Sequence, residues 1–316
     1  MKRAGYAVWL PLVLFGSLGA GPAGAQDIQR APRGPEGVTR HVVVISVDGL
    51  RPDAIARFEL ETLGRLSREG NVAVDAETIL PSKTLPSHTS MLTGLLPEDH
   101  GITFNREVAA GENVQVPTIF ELARRKGFST AAFYSKAKFR HLERPDAYDY
   151  WQAPSSNADN WMATKTVADA VQYLRHARPN LLFVHIGEPD YAGHAMGWMS
   201  MFYGWAVKRA DAGVARVLEA ADQAFGRGNY TLILTADHGG HGHDHGSDVA
   251  EDMLIPWVAW GRGVAPGSTP AGVRTVDTAA TALWLLDVTV PAHWEGRPVR
   301  SAFERRTVPV AVDAGG

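Results

Sequence analysis

Apolar runs that alternate with helical patterns predict an α/β fold with a largely parallel central sheet flanked by helices. Three runs carry the prediction: 41–47 (HVVVISV), 180–186 (NLLFVHI) and 230–235 (YTLILT). Each is nearly continuous in apolar residues, the pattern of a strand covered on both faces.

The remaining elements follow in order. Residues 52–69 have helical spacing, with Ile55, Phe58, Leu63 and Leu66 on one side, and 72–80 reads as a strand. A helix is expected over 116–126, a short strand over 129–134 and a helix over 159–176. After the strand 180–186 comes a long helix over 203–224, then the strand 230–235, a strand over 253–260 and a late helix over 276–286. No internal repeat or low-complexity block interrupts the series.

The amino terminus reads differently. Lys2 and Arg3 precede an apolar run from Ala7 to Leu18, and Ala23 and Ala25 stand at −3 and −1 of a cleavage site before Gln26. This is the pattern of a secretory signal, with an uncleaved anchor as the alternative; the run is short for a spanning helix, which needs about 20 residues. The expected organisation is a signal peptide over 1–25, a flexible stretch over 26–39, a catalytic domain over 40–304 and a tail over 305–316. The expected location is secreted or periplasmic, with no membrane attachment after cleavage. The formal charge is −3, and removal of Lys2 and Arg3 takes it to about −5, so no basic field points to a nucleic acid polymer. There are no cysteines, so thiolate ligands, disulfides and a cysteine nucleophile are excluded.

In open α/β sheets ligands bind beyond the carboxyl ends of the strands. Asp48, Asp190 and Asp237 each stand just past one of the three central runs. They are expected to converge at one edge of the sheet. Asp237-His238 opens a glycine-rich segment with three further histidines, His241, His243 and His245. Carboxylate and imidazole together suit a divalent cation, zinc first. A His-rich loop can also bind metal adventitiously. Asp190 and His194 are four apart, one face of a helical turn. Asp48 could instead cap the helix that follows it. Thr84 lies two residues before Pro86, at the start of a helix, where free N–H groups favour an anion. Its hydroxyl is either a helix cap or a nucleophile.

The ordered set of segments VDGLRPD, PSKTLPSHTSMLTGLLPEDHGI, EPDYAGH and ADHGGHGHDHG resembles the alkaline phosphatase superfamily, and within it the type I phosphodiesterase/nucleotide pyrophosphatase family. The C-terminal segment VDTAATALWLLDVTVPAHWEGRPV resembles that family's closing helix and loop, so the likeness spans about residues 41–300. The resemblance implies an alkaline-phosphatase-like three-layer sandwich and a phosphoric ester hydrolase acting on a small phosphate ester. It implies two Zn²⁺ ions, with other divalent metals possible. One would be held by Asp190, His194 and a loop histidine, the other by Asp48, Asp237, His238 and the Thr84 oxygen. His245 is the loop histidine that best fits the family's His-Gly context, although His241 is also followed by glycine. The segment that separates this last histidine from the Asp-His pair in the larger nucleotide pyrophosphatases is missing here.

By the same resemblance Thr84, activated by a metal, attacks phosphorus and forms a phosphothreonine intermediate. Asn105 matches an asparagine that donates to a phosphoryl oxygen, or it is a turn residue. Lys136 and Lys138 depart from the apolar segment usual in the diesterases. They resemble members acting on phosphomonoesters or phosphonates and are expected to bind substrate, unless they form a solvated face. A different class, a non-catalytic periplasmic zinc-binding protein, would leave Thr84 and Asn105 without a role.

Overall fold

The computed structural model describes residues 38–107, 113–144, 146–156, 162–269 and 272–303. The expected signal peptide, most of the stretch 26–39 and the tail 305–316 lie outside the described residues. Among the described residues no helix is long and apolar enough to cross a membrane.

One eight-stranded mixed sheet organises the chain, in the order β4-β3-β5-β1-β6-β7-β2-β8. Its centre is β1 (Val42–Val47), with β5 (Leu181–Ile186) on one side and β6 (Thr231–Thr235) on the other, both parallel to it. Every residue of these three strands is buried, which is why they read as continuous apolar runs. Outside β5 lie β3 (Thr130–Phe133) and β4 (Tyr150–Gln152), also parallel. Beyond β6, β7 (Trp257–Gly261) and β2 (Asn71–Ala73) pair antiparallel to their inner neighbours, and the edge strand β8 (Gly267–Thr269) runs parallel to β2.

Two groups of helices flank the sheet. In one, α8 (Met201–Phe225) packs with α2 (Glu61–Glu69), α6 (Ala163–Ala177) and α7 (Glu188–Met196). In the other, α10 (Asp277–Leu285) packs with α3 (Thr84–Thr93) and α5 (Ile119–Arg125), and α3 also meets the short α4 (Pro97–His100). Tertiary contacts moved several expected boundaries. The single helix expected over 52–69 is divided into α1 (Pro52–Arg57) and α2, because Glu59 takes a left-handed φ of 53°. The break seats the Phe58 ring on Gly204 of α8, where a Cβ would come within 2.5 Å of the ring. The strand expected over 72–80 ends at Ala73. Beyond it, Glu77 and Thr78 donate their backbone N–H groups to Val273 and Met253 instead of continuing a ladder. The strand expected from 253 starts at Trp257, since Ala250–Met253 forms a short helix, α9. The helix expected from 159 is described from Ala163, with residues 157–161 outside the described set.

Strand register then sets the site. Val47 pairs with Ile186 and Ser46 with Thr235, so the three central strands end at one level. The chain leaves β1 and β6 at Asp48 and Asp237, and β5 runs through Gly187 into α7, which carries Asp190.

Candidate metal centre

Asp48, Asp190 and Asp237 converge at this sheet edge. Gly49 makes the approach possible: with φ 73°, its Cα lies so close to Asp190 that a Cβ would come within 3.1 Å of that residue's backbone. Its N–H donates to Asp237 Oδ1 at 3.1 Å. Two groups of metal-ligating side chains result, Asp190/His194/His245 and Asp48/Asp237/His238, the donor atoms of each lying within 4.8 Å of one another. All but His194 are buried; its side chain is 43% exposed and marks the open side of the centre.

The hydrogen bonds show what the two groups are built to hold. His194 Nδ1 donates to the His243 carbonyl at 2.9 Å, His238 Nδ1 to the Gly239 carbonyl at 2.8 Å, and His245 Nδ1 to the Ser82 carbonyl at 2.8 Å. A carbonyl only accepts, so each imidazole carries its proton on Nδ1 and, when neutral, presents a lone pair at Nε2. His194 Nε2 lies 3.3 Å and His245 Nε2 3.5 Å from Asp190 Oδ1. His238 Nε2 lies 3.1 Å from Asp237 Oδ2 and 3.4 Å from Asp48 Oδ1. Those three carboxylate oxygens are buried and have no hydrogen-bond donor. Lone pairs that face orphaned carboxylate oxygens in a dry site call for a cation between them. Without a metal the same demand falls on a proton. Against the effect of burial, Asp237, Asp48 and Asp190 push the His238 imidazole up to about 9. The residues therefore fit two divalent cations with N/O donors.

Thr84 stands beside the second group, fully buried, with Oγ1 3.4 Å from His238 Nε2. It is the first residue of α3, and the cap position is Lys83, whose side chain makes no capping bond. The hydroxyl is thus not a helix cap. All ten residues of α3 are buried; Thr89 and Thr93 donate back to the Leu85 and Thr89 carbonyls at 2.7 Å, while Ser87 donates to the Asp237 carbonyl at 2.6 Å. The closing segment packs on the far end of this helix, with the Trp294 ring against Gly94. Asn105 accepts the Leu85 N–H at 3.1 Å through Oδ1, supplying a partner that the helix start otherwise lacks. Its Nδ2 remains a donor.

The two lysines separate. Lys138 is half-buried, and its ammonium donates to Asn105 Oδ1 at 3.0 Å, so it lies beside the start of α3. Burial and the neighbouring Lys136 push it down to about 8. Lys136 is 2% exposed and donates to carboxylates, with Nζ 2.6 Å from Asp48 Oδ2 and 2.5 Å from Asp190 Oδ2. Burial opposes the charged form of both aspartates, yet Lys136 holds them well below the usual carboxylate range. Lys136 thus faces the carboxylates of the two groups, and Lys138 faces the start of α3.

Of the loop histidines, His241 turns to Asp252 at 2.7 Å and His243 to the His194 carbonyl at 3.1 Å, while His245 joins the Asp190 group. His245→Ala is expected to cost one metal equivalent, and His241→Ala and His243→Ala to cost little. Elemental analysis of the three purified variants checks it, and loss in His241→Ala with none in His245→Ala would transfer the role.

Sequence reasoning passed over two supporting histidines. His185, in β5, donates from Nε2 to Asp48 Oδ2 at 2.8 Å and accepts at Nδ1 from Ser135 at 2.8 Å. His88, one turn beyond Thr84, donates from Nδ1 to the Thr84 carbonyl at 2.9 Å and accepts from Ser46 at 2.8 Å. A histidine inside an otherwise apolar buried strand, LLFVHI, was the available signal for the first.

The profile of the family described as "Type I phosphodiesterase / nucleotide pyrophosphatase" matches residues 42–260. Ectonucleotide pyrophosphatase/phosphodiesterase family member 1 of Homo sapiens is 25% identical over 233 residues, 66% of this chain and 24% of that protein. Bis(5'-adenosyl)-triphosphatase enpp4 of Xenopus laevis is 25% identical over 218 residues, 64% of this chain and 47% of that one. The chain thus spans between a quarter and a half of the length of these relatives. The solved structure of human ectonucleotide pyrophosphatase / phosphodiesterase 5 shares the fold, with a TM-score of 0.72 at 16% identity over 84% of this chain and all of that one. The profile match over residues 42–260 is decisive: this chain belongs to the type I phosphodiesterase / nucleotide pyrophosphatase family, in the alkaline phosphatase superfamily.

Proposed function

We propose that this protein is a phosphoric ester hydrolase in which Thr84 is the nucleophile and two divalent cations, zinc first, occupy the two His/Asp groups. The observation that carries the proposal is the set of three Nε2 lone pairs aimed at orphaned carboxylate oxygens, with the Thr84 hydroxyl beside them. Thr84 Oγ would attack phosphorus in line: an Oγ–P bond forms as the bond to the leaving oxygen breaks. The hydroxyl proton is lost to solvent and the leaving oxygen takes one up. Water then cleaves the phosphothreonine and restores the hydroxyl. The metals, when bound, would lower the pKa of the attacking oxygen and stabilise the leaving one. Asn105 Nδ2 and the N-terminus of α3 would receive the non-bridging oxygens. Export through residues 1–25 belongs to the same proposal and is read by N-terminal sequencing of the mature protein.

Lys138 favours a particular substrate class. It is a half-buried ammonium whose described partner is an amide oxygen, not a carboxylate, beside the proposed phosphoryl position. A monoester phosphate or a phosphonate carries nearly one more negative charge than a diester and would gain most from it. The test compares kcat/KM for p-nitrophenyl phosphate and bis-p-nitrophenyl phosphate, with and without added zinc. Turnover of neither ester by metal-loaded protein overturns the proposal, and zinc binding without turnover would support the zinc-binding reading. Because burial and Lys136 push Lys138 down to about 8, it is charged below that pH and neutral above it. The monoester kcat/KM is expected to fall by roughly tenfold through pH 8–9, while the diester profile lacks this limb. Parallel profiles for both esters would remove Lys138 from the site.

A further inference from the structure

Lys136 follows β3, and its ammonium ends between the two carboxylates that belong to different metal groups, Asp48 of one and Asp190 of the other. It takes the same atom of each, Oδ2. The opposite oxygen of each, Oδ1, is the one left without a donor and faced by histidine Nε2 atoms. A carboxylate pinned at one oxygen has its other oxygen aimed as well. His185 pins Asp48 Oδ2 a second time, from the side of β5.

Charge adds to the geometry. Asp48, Asp190 and Asp237 are 0, 4 and 0% exposed. Three carboxylates packed in a site of low dielectric repel one another strongly. Among the described residues, Lys136 is the one lysine or arginine within ion-pair distance of any of them. One ammonium leaves the set net negative, as divalent cations require, while relieving part of the charge that the carboxylates carry when no metal is bound.

We propose that Lys136 is a positioning residue and a resident counter-ion of the two-metal centre. Its ammonium bridges the groups so that the metal-free protein stays folded with both Oδ1 atoms already turned toward the positions the metals take. Metals then enter a preformed site. This rests on the metal part of the function proposed above, and it differs from the expectation that Lys136 contacts substrate.

The test is thermal melting of the full chain, loaded with zinc and stripped by chelator, with bound metal counted by elemental analysis. Lys136→Met keeps the length of the side chain and removes its charge. In the stripped protein it is expected to lower Tm by about 10 °C, the size of an unpaired buried charge in a domain of this length. In the loaded protein, where the metals compensate the carboxylates, the fall is expected to be about a third of that or less. Lys136→Arg, which keeps a cation, is expected to recover most of the stripped-state loss. Lys136→Met/Asp48→Asn, which removes one negative charge as well, is expected to melt above Lys136→Met when both are stripped. That comparison stands even if Lys136→Met folds poorly. Equal losses in loaded and stripped protein, with no recovery in the Asp48→Asn double variant, would make Lys136 a packing residue and overturn the proposal. Unchanged melting in both states with only a raised KM would return it to substrate binding and equally overturn it. Absence of bound metal in the wild type would overturn both this proposal and the functional reading, whereas two bound metals with no effect of Lys136 would overturn this one alone.

Discussion

Thr84→Ala is expected to lower kcat for a p-nitrophenyl ester by at least about three orders of magnitude, because loss of a covalent nucleophile removes the reaction path and not merely a contact. Two metal equivalents are expected to stay bound. The two groups each keep three side-chain donors, and Thr84 Oγ1 approaches only the second, 3.4 Å from His238 Nε2. Fold is also expected to persist. The start of α3 depends on the Asn105–Leu85 bond and the N-terminal proline, not on the Thr84 side chain, since the cap position is Lys83. Steady-state kinetics together with elemental analysis decide the matter. Retention of a tenth of the wild-type kcat, with metals in place, would remove Thr84 from the role of nucleophile.

Lys138→Ala is expected to reduce kcat/KM for a monoester by about ten- to a hundredfold and to leave a diester nearly unchanged. Two unit charges about 4 Å apart attract by about 4 kcal/mol at an effective dielectric near 20, before desolvation and screening are subtracted. About 1–3 kcal/mol of this is expected to survive as a difference between dianion and monoanion. The half-buried position of Lys138 limits screening, and its bond to Asn105 Oδ1 holds it beside the start of α3. The measurement is the ratio of the two kcat/KM values in wild type and variant at pH 7, where the side chain is charged. Equal small effects on both esters would define Lys138 as a solvated residue and leave the diester reading. The companion Lys136→Met variant is expected to act through the metal-free state instead, which separates two lysines that are adjacent in the sequence pattern.

The parts of the fold that were legible share one physical origin. Strands β1, β5 and β6 are covered on both faces, so nearly every position is apolar and the run stands out from its surroundings. The edge strands β4 and β8 are three residues each, too short to leave a periodic signal. The boundary between α1 and α2 was hidden for another reason. Helical spacing continues across Glu59, and the turn seen there goes with contacts to α8: Phe58 docks on Gly204, and the Asp211 carboxylate accepts the Thr62 and Leu63 N–H groups. Within the site, the residue types that can hold a metal were visible because Asp and His at strand ends have few structural reasons to be there. The choice among His241, His243 and His245 was not settled, because all three share one loop and one composition. Hydrogen-bond acceptors separate them: the Ser82 carbonyl turns His245 inward, while the Asp252 carboxylate holds His241 outside.

The sequence by itself therefore determined the α/β class, the three central strands, the carboxylates at their ends and the start of the helix bearing Thr84. These are properties of local pattern, set by burial and by the chain's own periodicity. The tertiary structure alone decided which side chains share a cation and which support them. Lys136 and Lys138 are two residues apart, yet one ammonium lies between Asp48 and Asp190 and the other beside Asn105. Partners 33, 54 and 88 positions distant in the chain make that difference. Distances of that kind are fixed by strand register and helix packing, which no local pattern encodes.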